Sequence, residues 1–210
     1  MTRKHKINIM IGVVSCLTVT AIGATLTFGK DQRSAREYSA SELRAKYGRL
    51  NTSTERVDRL KERGYLPKAI EEAKNSVAIA EEEFGMASLT VINPLLTLIE
   101  LLGRQKLYEE AEMSINKMYA IIDVDDEALT GYAIGYRIRI AQIYVQWNMF
   151  EKGESTLISA QNIIKASTST RPKDSRYVFT TSEHDQYTQS INTLLAKIHT
   201  LKEANRYNAR

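Results

Sequence analysis

Few residues in this chain could do chemistry by type and spacing. There are three histidines, His5, His184 and His199, and one cysteine, Cys16. His184 stands beside Asp185, and His199 follows 15 residues later. That interval is not the three- or four-residue spacing of a helical ligand pair, and no further ligand joins them, so a metal site is not expected. One cysteine excludes an intramolecular disulfide and a thiolate metal cluster. The carboxylate runs Glu81-Glu82-Glu83 and Glu109-Glu110-Glu112 have the composition of solvated helix faces rather than of an acid–base pair. No glycine-rich phosphate loop follows a strand pattern, and no nucleophile elbow is present. No catalytic, cofactor-binding or metal-ligating residue is assigned, and no enzymatic activity or cofactor is expected.

Charge removes another class. Lys and Arg number 29 against 25 Asp and Glu, for a formal net charge of +4. The excess lies in the first 30 residues, where Arg3, Lys4, Lys6 and Lys30 meet no acid. The remainder is balanced, so no electrostatic footprint for nucleic acid exists. An apolar fraction of 43% suffices for a packed core.

The elements that position these residues begin with an uncharged run that opens at Ile7 and closes at Phe28. As a helix, these 22 residues reach about 33 Å, enough to cross a hydrocarbon layer. The run exceeds the apolar core of a usual signal peptide, which favours a retained transmembrane anchor over residues 1–29. Small residues at Ala21, Gly23 and Ala24 keep cleavage open. Val13-Val14-Ser15-Cys16 resembles a bacterial lipobox, making Cys16 a candidate for lipidation, although the chain stays apolar beyond it. Flanking bases nearly tie, with Arg3, Lys4 and Lys6 before the run and Lys30, Arg33 and Arg36 after it. Dense basic charge ahead of a first apolar segment points to an inner-membrane protein with its C-terminal domain in a bacterial periplasm. The acid-free start leaves a mitochondrial inner membrane as an alternative.

Residues 30–50 read as a linker with a short helix. Ser39 and Glu42 have capping-box spacing, and Gly48 is the expected stop. Thr52 and Glu55 have the same spacing and should open a new helix, with Val57, Leu60 and Tyr65 buried. From there the chain repeats. RVDRLKERGYLPKAIEEAKNSVAIAE begins at Arg56, LIELLGRQKLYEEAEMSINKMYAIID at Leu98 and IAQIYVQWNMFEKGESTLISAQNIIK at Ile140, each 42 residues after the last. A period of this size marks stacked supersecondary units. In the middle unit Leu95, Leu98, Ile99 and Leu102 share one helical face, and Ala111, Ile115, Met118 and Ile122 share the next. Ala69, Ala111 and Gly153 recur where paired helices must approach closely. Pro94 either kinks the first helix of that unit or starts it late behind Asn93, and the unbroken register favours the kink.

Gln105 to Glu112, QKLYEEAE, resembles the turn segment of tetratricopeptide repeats, as does Arg63-Gly64-Tyr65 followed by Ala69. Ile140-Ala141-Gln142-Ile143-Tyr144 is similar to their first-helix signature. The 42-residue form, with Ile79, Glu81 and Gly85 at the junction, resembles the kinesin-light-chain type. The resemblance covers about residues 51–166. It implies an all-α solenoid of helix hairpins over 51–210, about three units plus a capping helix, that binds other proteins. Ser88-Leu89 and Leu96-Thr97 depart from that type's His-Pro and Asn pair, which removes its usual peptide clamp.

After Ala166 the register breaks across an insertion near 167–186, which holds Pro172 and an exposed apolar cluster, Tyr177-Val178-Phe179. A closing helix then resumes at Ile191 and runs to about Ala204, with His199 expected in the core. Polar positions on successive first helices outline a partner-binding face. These are Glu55 and Asp58, with Glu62, in the first unit; Asn93, Thr97, Glu100 and Arg104 in the second; and Arg139, Gln142 and Gln146 in the third. They grade from acidic to basic. Trp147 is expected at a structural turn.

Three roles fit: a membrane-tethered scaffold or adaptor for a protein partner in an envelope complex; a lipoprotein acylated at Cys16 that pilots a secretion or pilus component; or a small structural subunit bound through its transmembrane helix.

Overall fold

The computed structural model describes residues 38–123, 130–169 and 181–208. The apolar run 7–28, Cys16, His5, the linker to residue 37 and the Tyr177-Val178-Phe179 cluster lie outside them. The described residues form seven α-helices and no strand.

Helix α1 (Ala40–Glu62) packs along α2 (Leu66–Phe84), α3 (Ile92–Arg104) along α4 (Tyr108–Ile122), and α5 (Thr130–Gln146) along α6 (Phe150–Ser169). Helix α7 (Thr181–Asn208) lies against both α6 and α5. Each pair is joined by three residues, which leaves the chain no path but a reversal.

The same turn geometry closes all three pairs. Gly64, Lys106 and Asn148 adopt left-handed backbone, with φ of 75°, 60° and 59°. The amide of the next residue reaches back across the turn each time: Tyr65 N to Leu60 O at 2.9 Å, Leu107 N to Leu102 O at 2.9 Å and Met149 N to Tyr144 O at 2.8 Å. The left-handed residues donate to Lys61, Gly103 and Val145. This is a Schellman motif, which satisfies the last carbonyls of a helix. It recurs every 42 residues, the interval of the sequence repeat.

Burial follows the same interval. Val57, Ile99 and Ala141 are enclosed on the first helices, and Ala73, Ile115 and Leu157 on the second. Each fully buried Val, Ile or Leu side chain among them contributes about 1.5–3 kcal/mol. Ala69, Ala111 and Gly153 are also enclosed. A Cβ on Gly153 would lie 3.4 Å from the Ala141 carbonyl and from Ile198 Cδ1, so that position has no room for more than a small residue.

Two apolar cores result. The larger draws on α1 to α4 and is completed by Ile140, Ile143 and Tyr144 from α5. The smaller joins Ile134, Ile138, Ala141 and Val145 of α5 to α6 and α7. Helix α5 is therefore apolar on two sides.

Several local expectations change. Helix α1 runs through Gly48 without a break, because Gly48 keeps right-handed backbone and the contacts on either side hold the helix. Lys46 and Arg49 both reach Glu83, Tyr47 packs on Phe84 at 4.7 Å, and Leu50 is buried. The capping box forms at Ser39 and Glu42. Thr52 does not cap, since its hydroxyl donates to the Gly48 carbonyl at 2.9 Å. Tyr65 is exposed rather than buried.

Pro94 makes no kink. A short 3-10 turn, Leu89–Val91, is capped by Ser88, and α3 begins at Ile92. Pro94 thus sits in the first turn, where its missing N–H costs nothing. Helix α7 starts ten residues before Ile191 and continues past Ala204, so His184 is helical. Ile191, Leu194 and Ile198 face inward, which turns His199 to solvent at 76% side-chain exposure, near Glu203.

Candidate functional site

The polar residues expected to form one face lie on α1, α3 and α5, the first helices of the three pairs. Glu55, Asp58, Asn93, Arg104, Arg139, Gln142 and Gln146 are exposed, and Thr97 and Glu100 are half-exposed. The acids of α1 are met by bases on the same helix: Glu55 by Arg59 at 3.8 Å, and Asp58 by Lys61 at 2.7 Å. The formal gradient from acidic to basic is therefore largely compensated locally. Thr97 turns its hydroxyl back to the Asn93 carbonyl at 3.1 Å. Glu100 and Arg139 pair directly, tying α3 to α5.

Sequence reasoning missed the aromatic part of this face. Tyr132 and Tyr136 precede Arg139 by seven and three residues, which places all three on one side of α5. Their rings are 6.3 Å apart and near parallel. Tyr132 is half exposed, while Tyr136 is packed partly against the larger core. Tyr187 of α7 approaches beside them, its hydroxyl 3.6 Å from where a Cβ on Gly135 would stand. Burial pushes the phenols of Tyr136 and Tyr187 above their ordinary range, so both remain neutral donors. The signal was the Tyr-x-x-x-Tyr spacing in residues 132–136, which the search for polar positions passed over.

The carboxylate runs are not simply solvated. Glu81 pairs with Lys117 and Glu110 with Lys74, both linking α2 to α4 across 36 residues and with opposite polarity. Glu112 accepts from the Tyr144 hydroxyl at 2.8 Å and from Lys152 at 2.7 Å, joining α4, α5 and α6. Burial and then the bond to Glu112 raise the Tyr144 pKa far above the normal phenol range. These acids link neighbouring helices to one another.

Two polar clusters are buried. In the first pair, the hydroxyls of Ser53 and Ser76 lie 2.7 Å apart, and Ser53 donates to Glu72 at 2.7 Å. An open depression of about 390 Å³ adjoins them, lined by Arg49, Thr52, Arg56 and Asn75 among others. In the third, Arg137 is only 7% exposed. It donates to Asp123 at 2.5 Å, to the Ala133 carbonyl at 3.2 Å and to Ser159 at 3.2 Å, and stacks 5.0 Å from the Tyr119 ring centre. Arg137 falls at the repeat position of Ser53 and Leu95.

Trp147 is the turn contact the sequence implied. Its indole lies 5.2 Å from the Tyr108 ring and 5.8 Å from that of Tyr144. Among the described residues, no group of three or more His, Cys, Asp or Glu side chains is placed to hold a metal ion. Among them too, no helix is long and apolar enough to cross a membrane.

Compared with models of known protein families and with curated proteins, the chain matches none.

Proposed function

We propose that this chain is a membrane-tethered scaffold of the tetratricopeptide type. Its hairpins stack as a solenoid behind an anchor in residues 7–28 and offer the first-helix face to a protein partner. The setting we propose is the periplasmic side of a bacterial inner membrane, with the chain an adaptor or assembly subunit of an envelope complex. It acts without catalysis and without a cofactor.

The observation that supports this best is the Schellman turn recurring at Gly64, Lys106 and Asn148. A strict repeat of turn and burial is the signature of arrays whose first helices line an extended recognition surface. The face holds what such recognition uses: aromatic area at Tyr132 and Tyr136, with polar groups at Arg139, Gln142 and Gln146 around it.

The test is crosslinking and affinity capture of the intact protein from membranes, with protease protection on the same sample. A discrete partner lost with Tyr132→Ala and Gln142→Ala, in a protein that still folds, is the expected result. Capture that persists in those variants would move the binding face elsewhere. Group transfer or hydrolysis by the purified chain alone would overturn the reading.

A further inference from the structure

Helix α1 does not match its counterparts in length. By the 42-residue interval, Leu50 corresponds to Ile92, where α3 begins, yet α1 starts ten residues earlier at Ala40. The extra turns lie beside the end of α2. Their contacts are Tyr47 on Phe84, Lys46 over the rings of Tyr38 (4.1 Å) and Phe84 (5.9 Å), and Lys46 and Arg49 to Glu83.

Part of the surface of this corner is apolar. Tyr38, Leu43 and Tyr47 are exposed, and Met86, two residues beyond Phe84, is 73% exposed. Leu43 and Tyr47 are four residues apart and share a helix face. The surrounding charges balance in number, Glu42, Glu82 and Glu83 against Arg44, Lys46 and Arg49: Glu83 is met by Lys46 and Arg49, Glu82 by Arg49 at 3.5 Å, and Glu42 accepts from the Ser39 amide at 2.8 Å. An apolar patch among charges balanced in number suits a surface that is itself without net charge.

Chain length selects the surface. The uncharged run ends at Phe28, ten residues before Tyr38. Ten residues span at most about 36 Å when fully extended. If the run anchors in a bilayer, Tyr38 is confined to within that reach of the headgroups, and α1 begins two residues further on at Ala40. Tyrosine rings, with an apolar body and a polar tip, are favoured at the lipid–water boundary.

We infer that the corner formed by Tyr38, Leu43, Tyr47 and Met86 rests on the lipid surface, inserting its apolar side chains among zwitterionic headgroups. This rests on the tether proposed above, and it adds an orientation: the first hairpin is seated on the membrane and the later ones extend from it.

The test uses the full chain with Cys16→Ser, reconstituted into phosphatidylcholine vesicles. Met86→Cys carries an environment-sensitive fluorophore, and Met113→Cys on α4, a residue 72% exposed, serves as the control. Flotation with the vesicles is read on the same samples. The expected result is a blue shift with severalfold brighter emission at position 86, quenched by lipids brominated near the headgroup, and aqueous emission at position 113. Adding Leu43→Glu and Tyr47→Glu should return position 86 to aqueous emission while flotation persists. Salt should change neither. Flotation with aqueous emission at position 86 would overturn this inference and leave the tether standing. Failure to float would remove both. Emission that is shielded but not quenched by the lipids, and that depends on protein density, would mean that a second copy covers the patch and would also overturn it.

Discussion

The indole of Trp147 occupies the space that a side chain on residue 103 would need, so Gly103 is fixed by a neighbour 44 positions later in the chain. A Cβ on Gly103 would overlap the Nε1 edge of the ring. Gly103→Ala should lower stability by about 1–3 kcal/mol, the usual result of overfilling a packed site. Combined with Trp147→Ala, most of that penalty should vanish, because the clash has gone. Denaturation midpoints of the two single variants and the double variant measure the coupling. Trp147 is the sole tryptophan, so its emission reports the Gly103 variant directly.

The three left-handed turns predict effects of opposite sign. Gly64→Ala puts a Cβ into left-handed backbone and should cost about 1 kcal/mol. Lys106→Gly and Asn148→Gly relieve that strain and should gain several tenths of a kcal/mol, with Lys106 gaining more because asparagine already tolerates the conformation. Thermal melts of the three variants under one condition decide it.

Arg137 should behave differently from its partner. Replacing it with leucine, the residue at the equivalent position 95, trades a desolvated cation for apolar packing and should be neutral or stabilising. Asp123→Ala leaves the guanidinium enclosed without its carboxylate and should destabilise by about 1–2 kcal/mol, less than for a wholly buried pair because Asp123 is 44% exposed. Urea titrations of both variants separate the two outcomes.

Acid should weaken the first hairpin through Glu72. Partial burial pushes its carboxyl upward, but hydrogen bonds from Ser53 and Asn75 and the nearby Arg56 outweigh this and hold it below its ordinary value. A folded-state pKa below the unfolded one stabilises the protein above the unfolded value, about 4.5, and that gain is lost as pH falls through the folded one. Glu72→Gln should therefore be less stable than wild type at pH 7 and approach it below pH 4. Midpoints measured from pH 3 to pH 7 test the sign.

Much of the architecture was legible because its cause is local and repeated. The turns at residues 64, 106 and 148, and the small residues at 69, 111 and 153, are set by backbone geometry and close packing that each unit must satisfy alone. What could not be read depends on partners distant in sequence. Gly48 carries a stop signal, yet α1 passes through it because Phe84 and Glu83 hold the far side. His199 fits a core pattern until the rotation of α7 is fixed by Ile191, Leu194 and Ile198. The candidate face was half legible: its polar residues were found by interval, while Tyr132 and Tyr136 were not, since tyrosine serves core and surface equally well.

Helix α5 closes one core with Ile140, Ile143 and Tyr144 and the other with Ile134, Ile138, Ala141 and Val145. It is a party wall. The third hairpin cannot be cut away, swapped for another or melted separately without stripping the lining from the room next door. The units look interchangeable in the sequence, but all three share lining with a neighbour and must be exchanged or lost together.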